Sequence, residues 1–144
     1  MPPGTLHDAC WAAFSSQLDE AESEFAQGRP KAFKALWSQG DDVSVYGAFG
    51  GLVTGWREVA RRLDWASSQM RQGSRGCAER CCVVSQDLAY IAQREWIRSC
   101  VGGAALPSIT ELRVTMVFRR EALAWRVVHR HADPLMHTLT PNHN

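Results

Sequence analysis

The second half of the chain consists of long alternating runs of apolar and polar residues, separated by turns too short to hold a helix. Runs near 78–85, 89–100, 109–120 and 124–132 read as strands, with turns at Ser85–Leu88, Val101–Ser108 and Arg120–Leu123. A parallel crossover needs a dozen or more residues, so strands joined this way form an antiparallel meander. The first half has the helical period instead. Phe14, Leu18, Ala21 and Phe25 form one apolar stripe of a helix near 6–27, with Thr5 as N-cap and Asp8 in its first turn. Gly28 stops that helix and Pro30 suits the first turn of the next, which buries Phe33, Leu36 and Trp37. Gly40, Asp41 and Asp42 turn into a short strand with Val43, Val45 and Tyr46, followed by a loop containing Gly47, Gly50, Gly51 and Gly55. A third helix, Trp56 to about Met70, buries Val59, Leu63 and Ala66 and exposes Arg57, Arg61 and Arg62; a polar turn at Gly73–Gly76 closes it. Helices followed by a meander define an α+β fold, with the helices on one face of the sheet.

A chain of 144 residues fits one domain, expected at 5–133 with a flexible tail at 134–144 that holds His137 and His143. Its net charge of +1 leaves no broad cationic face for nucleic acid, and no apolar run is long enough to span a membrane. The balance hides an asymmetry. Residues 1–28 carry five acids and no Lys or Arg, while the remainder carries sixteen cations and ten acids. The five cysteines, Cys10, Cys77, Cys81, Cys82 and Cys100, include no Cys-x-x-Cys pair, and Met1-Pro2-Pro3-Gly4 has neither a basic nor an apolar leader region. The reading is a soluble, reduced, cytoplasmic protein. The glycine loop lacks the Lys-Ser or Lys-Thr ending of a phosphate-binding loop.

The order of these parts resembles the nuclear transport factor 2-like superfamily, which includes SnoaL-like polyketide cyclases, ketosteroid isomerases and the association domain of calcium/calmodulin-dependent protein kinase II. The resemblance rests on Gln27-Gly28-Arg29-Pro30-Lys31-Ala32-Phe33, on Gly40-Asp41-Asp42-Val43-Ser44-Val45-Tyr46, on Gly55 before the third helix, and on the final strands. There, Leu112-Arg113-Val114-Thr115 and Phe118-Arg119-Arg120 precede Trp125-Arg126-Val127-Val128-His129-Arg130-His131-Ala132-Asp133, which looks most like the SnoaL-like and association-domain branches. The resemblance implies a cone: a bent antiparallel or mixed sheet wrapped around three N-terminal helices, of cystatin-like type, with a pocket between them. It also implies a homodimer through the outer face of the sheet.

Ketosteroid isomerases place a carboxylate base, a tyrosine and a protonated acid at positions that correspond here to Gly47, Ala21 and Thr115. Those roles are empty or weakened, so steroid-type isomerisation is disfavoured. Period two puts Trp125, Val127, His129 and His131 on one strand face. His129 and His131 are the candidates for acid–base work, because imidazole titrates near neutrality. The association-domain resemblance places a pocket arginine at Arg94, with Arg113 near a second such position; Ala132 stands at a third. The expected ligand pocket comprises Tyr46, Trp56, Arg94, Trp96, Arg113, Thr115, His129 and His131, and takes a compact, partly apolar ligand with a carboxylate. No metal or cofactor is expected: His129 and His131 lack a third close ligand, and Cys81 and Cys82 stand apart from them. An enzyme of cyclase, isomerase or hydratase type and a non-catalytic oligomerisation module are the alternatives.

Overall fold

A computed structural model of the chain describes residues 5–136, with side chains from residue 9. The side chains of Thr5 and Asp8, and residues 137–144 with His137 and His143, lie outside that description. The elements are α1 (Thr5–Phe25), α2 (Lys31–Ala35), β1 (Ser44–Tyr46), β2 (Leu52–Thr54), α3 (Trp56–Ser68), β3 (Met70–Val84), β4 (Leu88–Val101), β5 (Ser108–Glu121) and β6 (Ala124–Pro134). They form an α+β fold with one six-stranded sheet in the order β2-β1-β6-β5-β4-β3. The meander from β3 to β6 is antiparallel, and β1 joins it parallel to β6, which makes the sheet mixed. Among the described residues no helix is long and apolar enough to cross a membrane.

Two local readings change. Leu52–Thr54, inside the glycine-rich loop, pairs with β1 as a short strand. The segment Gly73–Gly76, read as a turn, belongs to β3, which starts directly after α3. Its glycines serve close approach. A Cβ on Gly73 would lie 1.8 Å from the Ala26 carbonyl oxygen, and one on Gly76 would lie 2.1 Å from Trp96 Cζ2. The register of β3 shifts between Arg71 and Ser74 and again between Ala78 and Cys81. Such bulges bend a strand and increase its twist, which curves this edge of the sheet around α1.

The apolar stripe of α1, with Phe14, Leu18 and Ala21, packs with Phe33 of α2 and with Val59 and Leu63 of α3 against the inner face of the sheet. That face presents Ile91, Val114, Met116, Phe118, Val127 and Ala132, all buried. Full burial of each larger apolar side chain contributes roughly 1.5–3 kcal/mol. One end of the cone is closed by aromatic rings: Trp11 lies 5.3 Å from Trp125 and 5.1 Å from Phe118, and Phe14 lies 5.5 Å from Phe118. Edge-to-face pairs of this kind pack that end with rings. The interior opens towards the opposite end, where α3, the glycine loop and the β4–β5 turn meet.

A bulge in β6 decides which side chains enter that interior. Val117 pairs with His129, whereas the next residue, Phe118, pairs with Val127, so Val128 is an extra residue in the strand. One inserted residue reverses the facing of everything beyond it. Trp125 and Val127 point inward before the bulge, and Arg130 and Ala132 point inward after it.

Candidate functional site

The open end of the cone holds a cavity of about 390 Å³. Its walls are mostly apolar: Phe25, Ala26 and Phe33 from the first two helices, Leu63 and Ala66 from α3, and Ile97, Leu112 and Ala132 from the sheet. Phe49, Arg62, Val101 and Ser108 also line it. Its charged groups are Glu22, Arg75, Glu95 and Arg130, together with Arg62.

The first four form one buried network, each member supplied by a different element. Glu22 sits on α1 beside Ala21, so it falls within the apolar stripe and is only 6% exposed. Glu95 occupies an inward position of β4 and is 1% exposed. Arg75 comes from β3 and Arg130 from β6, just past the bulge. Arg130 donates to Glu95 Oε1 at 3.1 Å and to Oε2 at 3.3 Å, and Gln93 Nε2 donates to Glu95 Oε2 at 2.8 Å. Arg75 Nη2 lies 3.4 Å from Glu95 Oε1. Glu22 is held less well. It accepts from Arg130 Nη1 at 3.3 Å, and its Oε2 stands 2.7 Å from Arg75 Nη2. That approach is outside hydrogen-bond alignment, so Nη2, on a side chain 5% exposed, is paired by charge but makes no aligned hydrogen bond. Asp19 flanks the network, 3.8 Å from Arg75 Nη1, and is tied to Arg80, which also donates to Gln93 Oε1 at 2.7 Å.

The two carboxyls respond to this setting in opposite ways. Burial, and then the nearby Glu95 charge, push the Glu22 carboxyl up to about 7, against the pull of Arg130 and Arg75. Burial acts on Glu95 too, but Arg130, Arg75 and the Gln93 amide outweigh it and hold the group well below the usual carboxylate range. The two carboxyls are thus separated, and Glu22 takes up a proton far more readily than Glu95. Further along the wall, the Ser99 hydroxyl is wholly buried and has no hydrogen-bond partner.

The residues singled out from the sequence lie elsewhere. Arg94, Trp96, Arg113, Thr115, His129 and His131 occupy outward positions of β4, β5 and β6, and Tyr46 faces out from β1. None of them lines the cavity. The bulge at Val128 is the physical reason for the two histidines, because it breaks the period-two register that joined them to Trp125. Three of these residues do meet, on the outer face. The Tyr46 ring lies 4.9 Å from His129 and 5.3 Å from His131, His129 Nδ1 is 2.7 Å from Ser44 Oγ, and His131 Nε2 is 3.2 Å from Asp133. Burial, and then His131, lower the pKa of His129. Arg94 pairs with Glu111 at 3.3 Å and Glu79 at 3.6 Å. Trp96 covers Gly76, and Trp56 packs 6.5 Å from Trp37 at the start of α3. Among the described residues no three His, Cys, Asp or Glu side chains form a metal-binding group.

Sequence reasoning missed Glu22, Arg75, Glu95 and Arg130. Signals for two of them were available. Glu22 stands at helical spacing between Leu18 and Phe25, and Glu95 alternates with Ile91 and Ile97. Arg75 was hidden in an apparent turn and Arg130 by the bulge.

A curved mixed sheet closed around three helices, with a polar network at the inner end of an apolar cavity, defines a cone-shaped pocket domain. The family model described as "SnoaL-like domain" matches residues 16–136, and the chain belongs to that family. No curated protein sequence matches the chain. Among solved structures, a nuclear transport factor 2-like protein from Streptomyces avermitilis, provisionally named a dehydratase, superposes with a TM-score of 0.75 at 20% identity, over 90% of this chain and 96% of that one. A protein from Exiguobacterium sibiricum, provisionally named a kinase II association domain, gives 0.71 at 16% identity, over 96% and 99%. A protein from Novosphingobium aromaticivorans, provisionally named a scytalone dehydratase, gives 0.71 at 15% identity, over 95% and 92%. These likenesses establish a shared fold, and one fold hosts many activities.

Proposed function

We propose that the chain binds a compact, largely apolar small molecule carrying one carboxylate inside the cone. The observation that carries this reading is a pair of buried guanidiniums set in an apolar wall. Arg75 and Arg130 reach the inner end of the cavity from β3 and β6. A buried guanidinium holds a carboxylate by charge-assisted hydrogen bonds, which are stronger where water is excluded. Concave, mostly apolar sites with few polar groups are the usual setting for such ligands. Thermal-shift and calorimetric titration with phenylacetate, 2-naphthylacetate and decanoate tests the proposal. At least one should bind saturably and raise the melting temperature. Thr110→Trp, at the exposed rim, should abolish that binding by filling the cavity. Failure of all three acids to bind refutes the ligand class.

Glu22 favours a second reading, proton transfer at a carbon next to the bound ligand's carbonyl or carboxylate group. A carboxyl that titrates near neutrality inside an apolar cavity is suited to general acid–base work. The relatives provisionally named dehydratases make β-hydroxy acids and ketones sensible compounds to assay. Glu22→Gln should then remove turnover while leaving binding in place, and equal turnover by both proteins excludes Glu22 from that role.

A further inference from the structure

We infer that the ligand's carboxylate seats at the inner end of the cavity, against Arg75 and Arg130, and enters together with one proton that Glu22 takes up. This rests on the ligand class proposed above and adds where its charge goes and what accompanies it.

The inner end is electrically closed as it stands. Two guanidiniums, Arg75 and Arg130, balance two carboxylates, Glu22 and Glu95, and an added anion would meet no surplus charge there. Of the two carboxylates, Glu95 is fixed by two hydrogen bonds from Arg130 and one from Gln93. Glu22 has one hydrogen bond from Arg130, at 3.3 Å, and an ion pair with Arg75 Nη2 at 2.7 Å that is not aligned as a hydrogen bond. Glu22 is therefore the group an incoming carboxylate displaces. Once protonated it no longer repels the anion, its O–H becomes a donor towards it, and the inner end gains the one positive charge the anion needs. One anion and one proton enter, and the buried charge stays balanced.

The surroundings of Glu22 agree with this exchange. Arg75 faces it from β3, Glu95 from β4, Arg130 from β6 and Asp19 from its own helix, the last held by Arg80 at 3.2 Å. Phe33 of α2 and Leu63 of α3 complete the wall with apolar atoms. Arg62 offers the competing seat at the rim. Its guanidinium already donates to the Gly50 carbonyl at 2.9 Å and lies 4.3 Å over the Trp65 ring. A carboxylate held there would leave Glu22 undisturbed and require no proton. The carboxyl's position near neutrality means that the exchange falls in an accessible pH range.

Calorimetry with 2-naphthylacetate, in phosphate and in Tris at pH 8, distinguishes the two seats. The expected result is uptake of close to one proton per ligand bound. Kd should weaken by about tenfold per pH unit above pH 8. Glu22→Gln should bind with no proton uptake and with a flat pH profile. Arg62→Ala, at the rim, should leave Kd within about threefold, a check that remains if Glu22→Gln does not fold. Binding without proton exchange, or loss of binding on Arg62→Ala, overturns the inner seat while leaving the ligand class intact. Absence of binding by all three acids removes the ligand class and this inference with it.

Discussion

Replacing Glu22 by Gln should change how the stability of the fold responds to pH. In the folded chain the Glu22 carboxyl takes up its proton at about 7, against an ordinary value of 4.5. Between those values the folded chain holds a proton that the unfolded chain has released. The stability this provides is therefore full below 4.5 and is lost as pH rises towards 7. A tenfold change in proton affinity is worth about 1.4 kcal/mol, so the loss across the window is about 3 kcal/mol. Glu95 has the opposite sign, and because its folded carboxyl ionises well below 4.5, its contribution is lost only in more acidic solution. His129, with its pKa lowered from 6.5, adds stability as pH rises through the region below that value. That effect is present in both proteins and cancels in their difference. Urea unfolding at several pH values from about 5 to 8 should show the natural chain losing about 2–3 kcal/mol relative to Glu22→Gln. Parallel profiles for the two proteins would refute the placement of a buried, weakly paired carboxyl at this position.

Three further outcomes follow from the packing. Glu95→Gln leaves the two buried guanidiniums, Arg130 and Arg75, with Glu22 as the one carboxyl of the network and should cost about 3 kcal/mol or more at neutral pH in urea unfolding; a loss no larger than that of Glu22→Gln would contradict the ranking of the two carboxyls. Gly73→Ala puts a methyl group 1.8 Å from the Ala26 carbonyl oxygen, forcing α1 and β3 apart, and should lower the melting temperature steeply, by more than about 2 kcal/mol of stability. A thiol reagent should reach the exposed Cys10, Cys81 and Cys82 in the folded chain and the buried Cys100 only after unfolding; rapid reaction of Cys100 would contradict its place in the sheet.

The fold was legible because its strongest determinants are local. The helical stripe from Phe14 to Phe25 and the short turns between the last three strands each allow few arrangements, and their order leaves one α+β topology. The site was legible only in part, because two of its four charged members depend on contacts distant in sequence. Nothing near Gly73 and Gly76 announces that Ala26 and Trp96 press on them, so the segment carrying Arg75 read as a turn. Nothing near Val128 announces an extra residue in β6, since a bulge is set by the partner strand, here at Val117 and Phe118. Glu22 was different. Its spacing from Leu18 and Phe25 placed it on the buried stripe, but by sequence it counted only among the five acids of residues 1–28.

The bulge also explains why the two faces of the sheet differ in chemistry. Without Val128 as an extra residue, His129 would continue the inward row of Trp125 and Val127, and Arg130 would point outward beside Thr115 and Arg113. Glu95 would then lose both donors from Arg130 and Glu22 its hydrogen bond, leaving two buried carboxyls with Arg75 as their one guanidinium in the network. Stability by itself gives no reason to avoid that problem with four charges, because apolar side chains of similar volume would fill the same space at equal or lower cost. The closed end of the cone does this, with Trp11, Phe14, Phe118 and Trp125. The open end instead pairs an apolar wall with a charge network in which one member, Glu22, accepts a single aligned hydrogen bond and meets Arg75 Nη2 by charge alone. The carboxylate exchange we infer replaces that one member beside the cavity, and the extra residue in β6 delivers the arginine on which the inference depends.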